Sequence, residues 1–283
     1  MSFEVIPAHD VPLAEQAEIF TQAFAGYVGG SFAMDAPGLA RFVLAQGADL
    51  YYSRFVRAPD GLAGFGYINR TGNISRLAGM GVLPNARRAG IARALLLHLL
   101  DEARARGEQA MMLEVIKQNP AAHALYAREG FREIGRLFGW RRKADSRITR
   151  TISETLEEIS LLQASQLPGT LDYPDLPWAV SRHAIVKVPV ARAFRTGNAV
   201  AVIGDTEVSP VRVHALFSTA LDKIDWEQLR NALASILQRF PDREFFTPAV
   251  FPAQFGDEVF QPLGFTREPL NQFLMRQDLQ LMP

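Results

Sequence analysis

The chain has 283 residues, which is about twice the usual length of a single domain, so two domains are expected. Apolar residues make up 48% of the chain and charged residues 21%, as in ordinary globular proteins, and 30 basic residues balance 30 acidic ones. This balance gives no electrostatic reason to expect nucleic acid or an anionic membrane as a partner, and the absence of cysteine excludes disulfides, thiolate metal sites and cysteine nucleophiles.

The first half of the sequence alternates helical and strand patterns, which is typical of an α/β layered domain. Gly79 and Gly81 lie inside one predicted strand and indicate a bulge or a close backbone approach there. The predicted elements, in chain order, are a helix over 13–28, strands over 50–57, 62–68 and 75–83, a helix over 90–106, a strand over 110–116, a helix over 120–129 and a strand over 131–141.

The second half repeats the first with an offset of 134 residues, the separation of Phe131 and Phe265, each of which follows a glycine. In this register the strand ending at 80–83 returns at 214–217, and the first helix falls on an amphipathic run over 152–162 with a capping-box start near Thr151. Identity between the halves is low, so a chance alignment of two α/β segments stays an alternative. The repeat predicts two tandem domains of one fold, 1–143 and 151–283, joined by a basic linker at 143–150.

Residues 82–92, with the sequence VLPNARRAGIA, join a predicted strand to the long helix and have the properties of an anion site. The first turn of a helix has backbone N–H groups without helical partners, and the helix dipole makes this end positive. Gly90 and Ala92 leave the surface bare, so that a phosphate can approach the amides, and Arg87 and Arg88 add positive charge. A solvated turn with an arginine pair is the alternative interpretation of this segment alone.

Two motifs give this half of the chain a family resemblance. Val82, Pro84, Arg87, Gly90 and Ala92 fill the pattern V-x-P-x-x-[QR]-x-x-G-x-[GA], and residues 119–131 fill N-x-x-A-x-x-L-Y-x-x-x-G-F. With both motifs filled at the usual spacing, residues 10–141 resemble the GNAT acetyltransferases, which transfer an acetyl group from acetyl-CoA to an amine.

The resemblance implies a fold, a cosubstrate and a set of binding residues. Each domain would have a mixed, mostly antiparallel central sheet flanked by helices, and acetyl-CoA would lie where two strands of the sheet diverge, with no metal involved. Its pyrophosphate would rest on the amides of residues 88–92 and its pantetheine arm along the free edge of one strand. The residues implied to bind it are Met80, Gly81, Val82, Arg87, Arg88, Ala89, Gly90, Ile91, Ala92, Asn119 and Tyr126.

The resemblance also implies that Tyr126 protonates the departing thiolate, whereas the residue taken alone is interpreted as an ordinary packed tyrosine. Glu114 is the best candidate for the base that deprotonates the amine, because it is the single charge in an apolar strand. A structural pairing of Glu114 with an arginine is an equally weighted alternative. His123 lies one helical turn before Tyr126 and is a weaker candidate, and water is a further one.

At the 134-residue offset the second half has lost these features. Gly90 falls on Ile224, Ala92 on Trp226 and Tyr126 on Phe260, while Arg87 falls on Leu221 in a segment without glycine. The second domain is therefore expected to be a degenerate copy that binds no CoA and serves to shape the acceptor pocket, cover a sheet edge or form a homodimer.

The function predicted from the sequence is an acetyl-CoA-dependent N-acetyltransferase acting on a primary amine of a small molecule or a peptide. A CoA-binding sensor or scaffold without turnover is the alternative, and a nucleotide-binding protein is a weak third because the nucleotide-loop motifs are missing. Residues 25–37 are expected to lie on the acceptor side, where Tyr27, Phe32 and Asp35 are candidates to contact the amine. Since no segment has the pattern of a secretory signal or a membrane span, a cytoplasmic location is expected.

Overall fold

The computed structural model describes residues 3–30, 32–144, 155–169, 177–220 and 224–280. The chain forms two compact units, of which unit 1 comprises Met1–Ile134 with Phe273–Pro283 and unit 2 comprises Gly135–Gln272. These units differ from the predicted halves, 1–143 and 151–283, because the last strand of each half crosses into the other unit. Most of the predicted linker, together with the cap at Thr151, lies outside the described residues.

Unit 1 is a mostly antiparallel sheet with helices on both faces. Its strands β1 to β4 are antiparallel neighbours, β5 joins β4 in parallel, and the end of β12 lies between β5 and the start of β6. The elements are β1 (Glu4–Pro7), α1 (Leu13–Ala23), α2 (Ala36–Gln46), β2 (Asp49–Ala58), β3 (Gly61–Thr71), β4 (Ile74–Val82), α3 (Ile91–Ala105), β5 (Ala110–Ile116), α4 (Pro120–Arg128), β6 (Arg132–Arg142) and β12 (Thr266–Asp278).

The core of unit 1 has two layers, one on each face of the sheet. Successive strand residues point to opposite faces, so Phe55 packs in the layer under α1 and α2 while its neighbour Val56 packs in the layer under α3. The α3 layer contains leucines at helical spacing, such as Leu95 and Leu99, both of which are fully buried. This packing, rather than helix propensity, holds α3 and its N-terminus against the sheet.

Strands β4 and β5 stop pairing about halfway along β4. A bulge interrupts β4 at Ala78, since Tyr67 pairs with Gly79 whereas Ile68 pairs with Leu77. The parallel pairing of β4 with β5 runs from Ile74 only to Leu77. The bulge expected from the strand glycines is thus confirmed, and it lies where a gap opens in the sheet.

Unit 2 repeats this plan with the strand order β6, β11, β10, β9, β8, β7. Helix α7 begins at Trp226, one residue after the position that the 134-residue offset gives for α3. Its elements are β7 (Glu157–Ile159), α5 (Leu161–Gln166), α6 (Arg182–Ile185), β8 (Arg192–Thr196), β9 (Ala199–Ile203), β10 (Val211–Ser218), α7 (Trp226–Arg239) and β11 (Phe245–Pro252), followed by an irregular helical segment over 253–263.

Two predicted helices need correction, and one helix was not predicted. The helix predicted over 13–28 ends at Ala23, and the helix α2, which was not predicted, begins after the capping residue Asp35. The helix predicted over 152–162 is wrong at 157–159, where the chain forms β7. A capping box is formed by Ser160 and Gln163 at the start of α5.

Candidate functional site

A cleft of about 700 Å³ opens in unit 1 where β4 and β5 diverge. Its walls are the end of β4, the turn before α3 with the first turn of that helix, α4 with the turn before it, and residues 23–28. We call residues 24–30 the acceptor-side segment. Among the predicted binding residues, those that line the cleft are Met80, Gly81, Val82, Arg87, Arg88, Gly90, Ile91, Ala92, Asn119 and Tyr126. Within the described chain, Ala89 and Glu114 are not part of this lining.

The edge of β4 that faces the cleft carries free backbone groups. The amide of Leu83 donates to the carbonyl of Ala63 in β3 at 2.9 Å. Because backbone groups alternate along an antiparallel strand, those of Met80 and Val82 point away from β3, toward the gap left by β5. A Cβ atom on Gly81 would lie 2.8 Å from the ring of Phe65, so only glycine fits at this position.

The N-terminus of α3 opens into the cleft without a side-chain cap. Gly90 occupies the capping position with φ 80°, makes no side-chain hydrogen bond and is followed by a first turn without acidic residues. A Cβ atom at Gly90 would meet nothing within 4 Å, so the left-handed backbone rather than lack of space favours glycine here. The free amides and the positive helix end form a site for an anion.

The three arginines near this helix end differ in their contacts. Arg87 donates from Nε to the carbonyl of Val82 at 3.1 Å and from Nη2 to the carbonyl of Ala23 at 2.9 Å. Arg93 pairs with Glu129 at 2.8 Å. The side chain of Arg88 makes no hydrogen bond or ion pair to any residue that the structure describes, so it is available to an anion in the cleft.

Tyr126 of α4 lines the cleft and is 7% exposed. Burial raises its pKa, and the proximity of Tyr27, whose negative charge would oppose its own, raises it further. Tyr126 therefore keeps its proton through the neutral pH range. That is the state that a proton donor requires.

Asn119 joins α4 to the acceptor-side segment. Its side-chain oxygen accepts from the amide of Ala122 at 3.3 Å, which confirms it as the helix cap. Burial raises the pKa of Tyr27, and a hydrogen bond between the Tyr27 hydroxyl and the Asn119 side chain offsets part of that rise. Tyr27 and Tyr126 thus share one cleft, and Asn119 fixes the position of Tyr27.

The two other acceptor-side candidates have structural contacts. The ring of Phe32 packs edge-on against Phe20 of α1 with centroids 5.8 Å apart, and the carboxylate of Asp35 caps α2 by accepting from Gly38 at 2.7 Å. Of the three residues proposed from the sequence to meet the amine, only Tyr27 lines the cleft. The position of Tyr27 in the cleft could not be predicted from the spacing of residues in the sequence, because it depends on the fold of residues 24–30.

Glu114 and His123, the two candidate bases, are both engaged by protein groups. Arg76 Nε lies 3.0 and 2.7 Å from the two oxygens of Glu114, whose side chain is 8% exposed. His123 Nε2 lies 2.7 Å from Glu133, and its ring packs on Phe273. These contacts favour the structural interpretation of both residues.

In unit 2 the corresponding positions are filled by protein groups. The carboxylate of Asp225 caps α7 by accepting from the amide of Gln228 at 3.1 Å, so this helix end already has its anion. Trp226 packs edge-on against Phe255 at 5.0 Å, and the fully buried ring of Phe260, which stands where Tyr126 stands in unit 1, stacks on Trp140. Leu221, the position equivalent to Arg87, lies outside the described residues.

Two further features bear on the kind of site present. Within the described ranges, no cluster of three or more histidine and carboxylate side chains could hold a metal ion. Across the same ranges, every helix is too short or too polar to cross a bilayer.

Comparison with known proteins identifies relatives of the half that carries the cleft. The model of the acetyltransferase (GNAT) family matches residues 24–131. The ribosomal protein bS18-alanine N-acetyltransferase of Salmonella typhimurium is 30% identical over 132 residues, which are 47% of this chain and 81% of that protein.

Solved structures resemble the whole chain at lower identity. A GCN5-related N-acetyltransferase from Sphaerobacter thermophilus has a TM-score of 0.65 at 13% identity, covering 99% of this chain and 97% of that one. A tandem GNAT protein from the clavulanic acid biosynthesis pathway has a TM-score of 0.60 at 16% identity, covering 100% of both chains. The likeness concerns the fold, and it extends the tandem arrangement over the full length of this chain.

Proposed function

The chain belongs to the GNAT acetyltransferase family, and we propose that it transfers the acetyl group of acetyl-CoA directly to a primary amine. The observation that supports this most is the contrast between two helix ends. Gly90 leaves the first turn of α3 open to the cleft, whereas Asp225 satisfies the equivalent turn of α7. Unit 1 is therefore proposed as the catalytic unit, and unit 2 as a copy that binds no CoA.

The residues that line the cleft fit the chemistry of CoA. The amides that follow Gly90 would hold the pyrophosphate, with Arg88 as the arginine whose side chain is free to approach it. The free backbone groups of Met80 and the amide of Val82, whose carbonyl already accepts from Arg87, would pair with the amide groups of the pantetheine arm, as an added strand would. Tyr126 lines the same cleft.

Bound in this way, acetyl-CoA supplies the acyl group as a thioester. A backbone N–H on the free edge of β4 would donate to the acyl oxygen as negative charge develops on it. The Tyr126 hydroxyl would give its proton to the sulfur as the carbon–sulfur bond breaks. Since an alkyl thiol has a pKa of about 8.5, this proton makes the sulfur a better leaving group near neutral pH.

The amine must lose a proton before or during its attack. Glu114 stays the sequence-based prediction for the base, but the ion pair with Arg76 engages both of its oxygens and supports a structural role instead. We propose that water in the cleft carries the proton to solvent and that Glu114 holds the strands at their point of divergence.

The acceptor we propose to test first is a peptide amine, because a relative of this half acetylates an alanine of a ribosomal protein. Thiol release from acetyl-CoA would be followed with a peptide that begins with alanine, its N-acetylated form as control, a lysine peptide and simple primary amines. Release that depends on a free amine supports the proposal. Binding of acetyl-CoA without release for any amine contradicts it and favours a CoA-binding sensor. A cytoplasmic location goes with this proposal, since acetyl-CoA is supplied there.

A further inference from the structure

Arg87 belongs to the motif that surrounds the anion site, yet its guanidinium binds two carbonyl groups of the protein. Its Nε donates to Val82, the last residue of β4, and its Nη2 donates to Ala23, the last residue of α1. One side chain therefore ties the end of the strand with the free edge to the residue at which the acceptor-side segment begins.

This contact also suits the electrostatics of α1. The last turn of α1 contains no basic residue of its own, and a helix C-terminus favours a cation. Arg87 supplies that cation from a distance of 64 residues along the chain. Charged hydrogen bonds of this kind are stronger than neutral ones, so their loss should be measurable.

The acceptor-side segment begins with an aromatic anchor, since Phe24 packs on Phe20 and Phe65 and the ring of Tyr27 packs edge-on against Phe24. Gly26 and Gly30 adopt positive φ angles of 69° and 114°, and no Cβ placed on either would meet another atom within 4 Å. The segment touches the protein again at Tyr27, through Asn119, and at Gly29, which lies against the side chain of Ile116. Arg87 adds to these contacts a charged link between the residue before the segment and the end of β4.

We propose that Arg87 is a positioning residue that couples CoA binding to the order of the acceptor-side segment, and that it is not a phosphate ligand. This inference rests on the proposed function, because it takes the cleft to bind CoA. A pyrophosphate on the amides of residues 88–92 fixes the turn that carries Arg87, and a fixed Arg87 holds Ala23 and the segment that follows it. By linkage, ordering the segment must favour CoA binding to the same degree.

Arg88 provides a matched control because it is adjacent in sequence and, unlike Arg87, is proposed to approach the pyrophosphate. The experiment compares the full-length wild type with Arg87→Gln, Arg87→Lys and Arg88→Gln. Hydrogen exchange of residues 24–30 is measured with and without CoA, and CoA affinity is measured by calorimetry. Thermal unfolding of each variant confirms that it is folded.

We expect CoA to slow exchange of residues 24–30 in the wild type. Arg87→Gln should exchange about tenfold faster with CoA bound, as expected from lost charged hydrogen bonds, and its CoA affinity should fall by no more than that factor. Arg87→Lys should behave like Arg87→Gln, since one ammonium group does not span both carbonyls. Arg88→Gln should show the reverse pattern, with weaker CoA binding and wild-type exchange in the free protein.

The inference is overturned if Arg87→Gln weakens CoA binding as much as Arg88→Gln does and leaves exchange of residues 24–30 unchanged. It also fails if CoA binds to the wild type without slowing that exchange, and the proposed function then stands. If the wild type takes up no CoA at all, the proposed function itself fails.

Discussion

Arg76 holds both carboxylate oxygens of Glu114 at the point where β4 and β5 diverge, with Nε–O distances of 3.0 and 2.7 Å. The two side chains are 12% and 8% exposed, and a second nitrogen of Arg76 donates to Gln46 of α2 at 3.1 Å. The ion pair thus links the two diverging strands to the helix above them. It gives Glu114 a role that needs no proton transfer.

Replacing Glu114 by Gln is expected to lower stability rather than turnover. Removing one partner of a buried ion pair leaves Arg76 uncompensated, at a cost of about 3 kcal/mol in the free energy of unfolding. Denaturant unfolding measures this cost, and Glu133→Gln, at an exposed site, serves as a control expected to change it by less than about 0.5 kcal/mol. Normal stability with a loss of turnover of about 10²-fold or more would instead identify Glu114 as the base.

Replacing Tyr126 by Phe is expected to lower turnover by about 10²–10⁴-fold while leaving acetyl-CoA affinity nearly unchanged. The substitution removes one hydroxyl and keeps the ring, as Phe260 does in unit 2. The loss should shrink toward high pH, where the thiolate leaves more readily without a proton. Steady-state kinetics with the amine found by the thiol-release screen measures this effect.

The control for Tyr126→Phe is Tyr51→Phe, since Tyr51 is 65% exposed and does not line the cleft. Its turnover should equal that of the wild type. Wild-type turnover in Tyr126→Phe, under conditions where chemistry limits the rate, would remove Tyr126 from the mechanism.

The motifs that point to the cleft could be found in the sequence because their signals are local. Gly90, Arg88 and Asn119 lie within short motifs whose backbone requirements act over a few residues, and the structure places all three around one cleft. The pairing partner of Glu114 could not be predicted in the same way. Arg76 is 38 residues away, and only the register of β4 against β5 brings the two together.

The fold, too, was predictable only where its signals are local. Strand alternation and helix spacing located most elements of the first half, but the crossing of β6 and β12 between the units is a long-range event without a local signal. The strand at Glu157–Ile159 has three residues, which are too few to show the alternation of apolar and polar side chains that indicates a strand. The amphipathic run around it therefore predicts a helix.

The buried His214 of β10 is expected to make the stability of unit 2 depend on pH. Burial and the nearby positive charge of Arg212 lower the pKa of His214 to about 3. The ordinary value of 6.5 applies to the unfolded chain. Stability from this residue is therefore complete above pH 6.5 and is lost as pH falls toward 3, because the unfolded state takes up the proton first. The slope is at most about 1.4 kcal/mol per pH unit.

Denaturant unfolding of the wild type and of His214→Gln between pH 5 and pH 8 measures this slope. The variant should lose the dependence that His214 contributes, whereas His9→Gln, at an exposed site of unit 1, should keep the wild-type slope. An unchanged slope in His214→Gln would show that His214 is not held neutral in the folded protein.

Replacing Gly90 by Glu is expected to abolish CoA binding without unfolding the protein. The carboxylate would stand at the positive end of α3, where the pyrophosphate is proposed to bind, and would repel it. Gly90→Ala is the matched control, because it introduces the same backbone strain at φ 80° without charge or bulk. Gly90→Ala should keep CoA affinity within a few-fold, and an equal loss in both variants would assign the effect to the backbone.

Calorimetric titration of the full-length chain with acetyl-CoA tests the central claim most directly. The contrast between Gly90 and Asp225 predicts one site per chain in the wild type and none in Gly90→Glu, since the first turn of α3 is open whereas that of α7 is capped. Two sites per chain, or a site that survives in Gly90→Glu, would contradict the assignment of acetyl-CoA binding to unit 1 alone.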